Sequence, residues 1–301
     1  MQWVERDINR FINKAIGTDG EDYVIAIDTD SVYLDMEKVV GKTLPGCKDE
    51  RKIALFLDKL SKEAIQNVIR KSYERLSETM NSYANHMRMK RECIASKGIW
   101  TGKKRYMLNV RIGEEDVYLP KPDLKITGIE TVRSSTPEVV RNALKTAITI
   151  VMDKDEEDIH RFVKTFREEF AGLPANKVAF PRSCNGMKDY LDASSIYSKG
   201  TPIATKASLV YNWHLRKMRL NTMYQEIREG DKIKFVYLKE PNPLGEKVVA
   251  FVGRMPVEFG LDGYIDRDMQ FVKAFVEPLR TILAVIGWNE EKKSSLDGLF
   301  A

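Results

Sequence analysis

Two aspartates separated by one residue interrupt an apolar stretch near the start of the chain. The sequence reads Tyr-Val-Ile-Ala-Ile over residues 23–27, Asp-Thr-Asp-Ser over 28–31 and Val-Tyr-Leu over 32–34. Two short apolar runs joined by a polar turn predict a β-hairpin with both carboxylates at its tip. Carboxylates brought together in a fold need a compensating positive charge, and oxygen is the ligand atom that Mg²⁺ prefers. The tip therefore predicts a magnesium site formed by Asp28 and Asp30.

A basic segment follows further along the chain. Seven lysines and arginines occur from Arg88 to Arg105, and Glu92 is the one acid among them. Ammonium and guanidinium groups neutralise phosphates, and the neighbouring Tyr106 can pack on a sugar or donate its hydroxyl. The segment predicts contact with a nucleic-acid backbone that does not depend on base sequence.

The order of the motifs is more specific than any one of them, because sugar-nucleotide transferases and calcium loops also use paired aspartates. The motifs cover nearly the full chain, and together they resemble the C-terminal part of family B DNA polymerases of the T-even phage type. They are D-T-D-S at 28–31, M-K-R-E at 89–92, K-K-R-Y at 103–106, K-I-T-G-I-E at 125–130, S-S-T-P at 134–137 and N-P-L-G at 242–245. The segment between the second and third motifs is shorter here, since the T-even proteins carry an inserted P-P-L-G stretch.

The resemblance implies two-metal phosphoryl transfer from dNTPs to a primer 3′-hydroxyl. Asp30 would coordinate catalytic Mg²⁺, and Asp28 would share a metal or orient the hairpin. Glu92 matches a family carboxylate near the metals, although pairing with Arg88 within a helix is an equal alternative. The residues that would hold primer–template DNA are Lys103, Lys104, Arg105, Tyr106, Lys125 and Arg133.

The C-terminal residues form a short apolar tail. Leu296, Leu299 and Phe300 follow a charged run, and such a terminus on its own usually frays. In the family that the chain resembles, this tail inserts into the sliding clamp, so the three residues are expected to bind the clamp.

The fold implied by the resemblance is α+β. Residues 1–130 would be the C-terminal part of a palm domain, with an antiparallel sheet, the catalytic hairpin and backing helices. Residues 131–290 would be a mainly helical thumb with a small β-ribbon, and residues 291–301 the clamp-binding tail.

Local patterns add elements to this outline. Apolar spacing predicts a helix ending at Gly17 and a long helix from Ile53 to Leu76. Strands are expected at 106–110 and 116–119, then a turn at Pro120 and Pro122. The second half should contain helices over 137–151, with Thr136 as N-cap, and over 159–170 and 271–283, a loop-rich region over 173–204, and ribbon strands at 231–238 and 247–251.

Several parts of the family's polymerase have no counterpart in the sequence, because only 22 residues precede Tyr23. They are the first palm Asp motif, the fingers helix with its nucleotide-gripping lysine, and the 3′→5′ exonuclease. We expect an N-terminal polymerase subunit to supply them, which makes this chain one part of a split polymerase. The alternative is a non-catalytic module that binds duplex DNA and the sliding clamp.

Composition limits the class of protein. The 301 residues are 43% hydrophobic and 31% charged, as in a globular chain of one or two domains. No apolar run is long enough to span a membrane, and a phage-encoded protein in the host cytoplasm is expected. Three cysteines, Cys47, Cys93 and Cys184, are distant in sequence and odd in number, which indicates free thiols.

Overall fold

The computed structural model describes residues 1–192 and 194–292, and the chain divides into two units, Met1–Thr127 and Gly128–Ala301. Helices and small antiparallel sheets occur in both, so the predicted α+β class is confirmed. The first unit contains α1 (Gln2–Ile16), β1 (Val24–Asp28), β2 (Ser31–Leu34), α2 (Glu37–Thr43), α3 (Glu50–Leu60), α4 (Gln66–Thr79), β3 (Ile94–Gly102), β4 (Arg105–Ile112) and β5 (Tyr118–Thr127).

Helix α1 leads into the hairpin as the sequence predicts. It ends at Gly17, which adopts a left-handed conformation with φ 64°, the conformation that glycine tolerates best. Its buried face, including Ile8 and Ile12, forms one core with residues of β1 and α4 such as Tyr73. This core supports the hairpin from behind.

The predicted long helix spans α3 and α4, which are joined by one π-helical turn, Ser61–Ile65. Asp49 caps its start by accepting hydrogen bonds from the backbone N–H groups of Arg51 and Lys52. The apolar period does not reveal the π turn, because the buried face continues through it.

Strands β3, β4 and β5 form an antiparallel sheet in that order. The predicted turn at Pro120 and Pro122 is wrong, because both prolines lie within β5. β5 is an edge strand whose pairing with β4 is irregular between Val110 and Ile112. At such a position a proline is tolerated, since its missing N–H removes no regular ladder bond.

The second unit is mainly helical, with one three-stranded sheet. Strands β7 and β8 confirm the predicted ribbon, and β6, from the region expected to be loop-rich, pairs with β7. Its elements are α5 (Glu138–Asp153), α6 (Glu156–Gly172), α7 (Ala175–Val178), β6 (Phe180–Ser183), α8 (Ile203–Lys217), β7 (Lys232–Tyr237), β8 (Val248–Phe251), α9 (Arg267–Phe271) and α10 (Glu277–Leu283), the last two joined by a π turn, Val272–Val276.

The predicted cap of α5 is wrong by one residue. Pro137 precedes the helix with extended backbone, ψ 141°, and no side chain caps the helix start. The backbone N–H of Thr136 instead donates to the carbonyl of Arg133, which places this buried threonine in a turn.

The cysteines and the helices of the described residues bear on two further predictions. The three cysteines there are free thiols, as expected. No helix in this part of the chain is long and apolar enough to cross a bilayer.

Candidate active site

The two aspartates lie at the tip of the β1–β2 hairpin. Asp28 pairs with Ser31 across the turn, and Thr29 adopts a left-handed conformation with φ 46°. Thr29 Oγ1 donates to Asp28 Oδ1 at 3.1 Å, and Ser31 Oγ donates to the Asp28 carbonyl at 3.0 Å. Asp28 is half-buried and Asp30 is exposed. The short polar side chains thus stabilise a tight turn that presents two carboxylates.

The turn between β3 and β4 approaches this tip. Lys103 and Lys104 form the turn, and Lys104 has a left-handed backbone with φ 60°. Lys104 Nζ lies 3.4 Å from Asp28 Oδ1, and its side chain is 61% exposed. A predicted metal ligand and a predicted phosphate-binding lysine therefore contact each other. Arg105, the next residue, is half-buried at the start of β4.

An aromatic cluster joins the hairpin to the sheet. The ring of Tyr33, on β2, lies 5.2 Å from that of Tyr106 and 5.5 Å from that of Trp100, between ring centroids. Burial, and then the hydrogen bond with Tyr106, raises the pKa of Tyr33. Sequence reasoning assigned no role to Tyr33 or Trp100. The sequence feature that could have indicated a role for Tyr33 is its position three residues after Asp30, beside the tip.

Glu92 lies outside any helix, so the alternative of intrahelical pairing with Arg88 is wrong. Its carboxylate forms an ion pair with Lys125, which lies on β5. Burial lowers the pKa of Lys125, but the hydrogen bond and charge of Glu92 outweigh this, and the net pKa is raised. The Lys125 ammonium is therefore charged at neutral pH.

The remaining predicted residues belong to other parts of the chain. Arg133 lies in the second unit, where its side chain pairs with Glu130 at 3.3 Å and donates to the carbonyl of Gly128 at 3.1 Å. The predicted clamp-binding residues lie outside the described residues; they are Leu296, Leu299 and Phe300.

The hairpin tip fits part of a magnesium site. Its donors are hard carboxylate oxygens, as Mg²⁺ requires, and Asp28 already attracts a cation in the form of Lys104. The Asp30 side chain forms no hydrogen bond or ion pair with the residues that the structure describes, although its charge acts on Tyr73. Among these residues no group of three or more His, Cys, Asp or Glu side chains is arranged to hold a metal ion. The tip brings two carboxylates together, and Glu92 does not join them in a group of three.

The chain is similar over its whole length to two curated proteins. No family model matches it. It is 34% identical, over an alignment 313 positions long, to a DNA-directed DNA polymerase of Enterobacteria phage T4. The DNA-directed DNA polymerase of Escherichia phage RB69 matches with the same identity and aligned length. Both alignments cover 100% of this chain and 34% of the relative, so the chain spans about a third of the length of the curated relatives it matches.

Proposed function

We propose that this chain is the C-terminal part of a replicative DNA-directed DNA polymerase. The chain is related over its whole length to the T-even phage type of family B DNA polymerases. It would act on primer–template DNA and dNTPs, in the host cytoplasm, as a palm portion over residues 1–130 and a thumb over 131–290. The observation that carries the proposal is the 3.4 Å contact between Lys104 and Asp28. Nucleotide addition needs metal ligands and phosphate-binding groups in one place.

Asp30 and Asp28 would hold Mg²⁺. The bound metal would lower the pKa of the primer 3′-hydroxyl and stabilise charge on the transferred phosphoryl group. Asp30 would be the principal ligand because it is exposed at the tip, whereas Asp28 is held by Thr29 and Lys104. Asp28 would share the metal and fix the turn that presents Asp30.

The basic residues would hold the duplex by its phosphates. Such contacts position nucleic acid without reading its sequence, which suits an enzyme that must copy any template. Lys104 beside the hairpin would hold the primer end closest to the metal. The full set proposed for DNA is Lys103, Lys104, Arg105, Tyr106 and Lys125 from the first unit and Arg133 from the second.

The remaining functions would come from an N-terminal polymerase chain that supplies the first palm aspartate, the fingers and the exonuclease. Two observations support this partner. The described residues provide only two clustered carboxylates at the tip, and the β1–β2 hairpin forms a sheet of two strands, with Ile25 49% exposed. A two-stranded sheet is marginal alone. The interface would be large and apolar, as in obligate complexes.

The tail residues Leu296, Leu299 and Phe300 would bind the sliding clamp. Tethering to the clamp raises the effective concentration of the polymerase at the primer. Binding of a tail peptide to the clamp, compared with a peptide in which Leu299 and Phe300 are replaced by alanine, tests this part separately.

Primer extension tests the central proposal. The chain alone and the chain mixed with the N-terminal polymerase portion are assayed with and without Mg²⁺. Extension that requires both polypeptides and Mg²⁺ is the expected result. Absence of extension in the mixture, with duplex and clamp binding intact, would instead establish the alternative of a non-catalytic binding module.

A further inference from the structure

Residues 89–93 lie outside helices and strands, and their side chains alternate between partial burial and exposure. Met89 packs against the core formed by α1, the hairpin and α4, and Cys93 packs against the cluster that contains Tyr106. Lys90 and Glu92 are exposed between them. Such alternation is typical of an extended segment, in which successive side chains point to opposite sides. Arg91 occupies the middle inward position, where its side chain is only 5% exposed.

Arg91 is held by four partners. Its Nε lies 2.7 Å from Asp58 Oδ1, an ion pair without hydrogen-bond geometry, and Nη2 pairs with Asp116. Nη1 donates to the carbonyl of Gly113 at 2.6 Å and to the carbonyl of Glu92 at 3.1 Å. The guanidinium therefore ties its own segment to α3 and to the connection between β4 and β5.

Lys62 completes this cluster, which we name the Arg91 network: Asp58, Lys62, Arg91 and Asp116. Lys62 Nζ lies 2.9 Å from Asp58 Oδ2 and 2.8 Å from Asp116 Oδ2. Lys62 lies in the π turn, and Asp116 has a left-handed backbone with φ 60°. π turns are frequent at functional sites, and a non-glycine residue with positive φ is uncommon. Both irregularities therefore lie at members of the network, the π turn at Lys62 and the positive φ at Asp116.

A network of this kind is not explained by stability alone. Buried charges lose hydration, and apolar residues of similar volume are often as stabilising. A guanidinium that contacts several fixed acceptors holds its own segment of the chain in one orientation. The orientation that it fixes here is that of residues 89–93, and Glu92 is the acidic side chain that this segment directs outward, onto Lys125.

We propose that Arg91 is a positioning residue: the Arg91 network fixes the extended segment so that Glu92 is held against Lys125 as a fixed counter-charge. This inference rests on the proposed role of Lys125 in binding DNA. A phosphate must compete with Glu92 for the Lys125 ammonium, so Glu92 limits how tightly this unit holds the duplex. A polymerase that must translocate benefits from such a limit.

The first readout is the order of the segment itself. In a Cys47→Ser background, Cys93 is the accessible thiol, because Cys184 is fully buried. Arg91→Lys keeps the charge but loses the fork, and Asp116→Asn weakens the network at its more exposed side, where the carboxylate is 52% exposed. Each variant is expected to raise the rate of thiol labelling at Cys93 by about fivefold through local opening. Lys90→Ala, at the outward neighbour, is expected to leave the rate unchanged.

The second readout is the affinity for a primer–template duplex, measured by fluorescence anisotropy over a series of KCl concentrations. Glu92→Gln is expected to lower Kd by about threefold, as expected for loss of one competing exposed ion pair. Arg91→Lys and Asp116→Asn should lower Kd similarly, and neither should add to the effect of Glu92→Gln. A merely structural residue would not show this dependence on Glu92.

Each outcome has a distinct meaning. An effect of Arg91→Lys on Kd that is equal with and without Glu92→Gln, or unchanged Cys93 labelling in both network variants, would overturn the positioning role. If the unaltered chain does not bind the duplex, the proposed function fails, and the labelling experiment still decides whether the network holds the segment. Asp116→Asn keeps the test valid if Arg91→Lys does not fold.

Discussion

The Lys104 ammonium lies 3.4 Å from the Asp28 carboxylate, although the two residues belong to different hairpins of the first unit. The contact neutralises one of the two acids at the tip. The packing of Tyr33 against Tyr106 also joins the two hairpins. The proposed metal site and the proposed phosphate-binding turn are thus parts of one packed arrangement.

Removal of the Lys104 charge should strengthen metal binding at the tip. Two unit charges about 4 Å apart interact by roughly 1 kcal/mol in water, so Lys104→Ala should lower the Kd for Mn²⁺, used in place of Mg²⁺, by about fivefold. Electron paramagnetic resonance of free Mn²⁺ measures this. Lys103→Ala is the matched control and should have a smaller effect. An equal effect of both variants, or an effect that persists in Asp28→Asn, would contradict a direct contact.

Gly98 is required by the position of the Trp100 ring. A Cβ at residue 98 would lie 2.6 Å from a ring carbon of Trp100 and 2.8 Å from a methyl carbon of Leu108. Gly98→Ala should therefore displace the ring and destabilise the first unit by about 1–3 kcal/mol, measured by urea unfolding. Gly41→Ala, in α2, meets no atom within 4 Å and should be neutral or stabilising. Equal stability of the two variants would refute the steric argument.

The hydroxyl of Tyr33 lies between two hydrogen-bonding side chains, those of Tyr106 and Ser31. Tyr33→Phe keeps the ring packing but removes the hydroxyl that both side chains contact, and the expected loss is about 1 kcal/mol in the free energy of unfolding. Tyr83→Phe is the control, because Tyr83 is fully exposed. A loss as small as that of the control would show that the hydroxyl does not hold the hairpin.

His214 makes the second unit sensitive to acid. It is 3% exposed on α8, and burial, then the charge of Lys217, lowers its pKa. Since the unfolded state binds the proton first as pH falls, its contribution is complete above the ordinary histidine pKa of about 6.5 and is lost below it.

The corresponding measurement is Tm against pH. His214→Phe should flatten the decline of Tm between about pH 6.5 and 5, whereas His86→Gln, at an exposed histidine, should leave the decline unchanged. A decline that is the same in all three proteins would assign the acid sensitivity to other groups.

The parts of the fold that depend on local sequence could be predicted. The hairpin tip follows from two apolar runs around a polar turn, and α1, the α3–α4 helix and the β7–β8 ribbon follow from their apolar periods. The sequence does not predict strand β3 because Lys97, Gly98 and Gly102 break the expected alternation, and the glycine at 98 is explained by its close neighbours Trp100 and Leu108 in the fold.

Contacts between distant segments could not be predicted from single motifs. The basic residues were expected to face phosphates, but the partners of Lys104 and Lys125 are Asp28 and Glu92. Arg91 was counted as one charge of a basic run, whereas it is buried among fixed acceptors. Whether a side chain of this segment faces the core or solvent depends on its neighbours, and Met89 and Cys93, on either side of Arg91, both pack against the core.

The most direct test of the account is the effect of Asp30→Asn on Mg²⁺-dependent primer extension by the chain assembled with the N-terminal polymerase portion. Asp19→Asn, at another exposed acid shortly before the hairpin, is the control. If Asp30 is a metal ligand, extension should fall by about a hundredfold or more, with duplex binding retained and the control fully active. Wild-type extension by Asp30→Asn would contradict the assignment of the metal site to this hairpin.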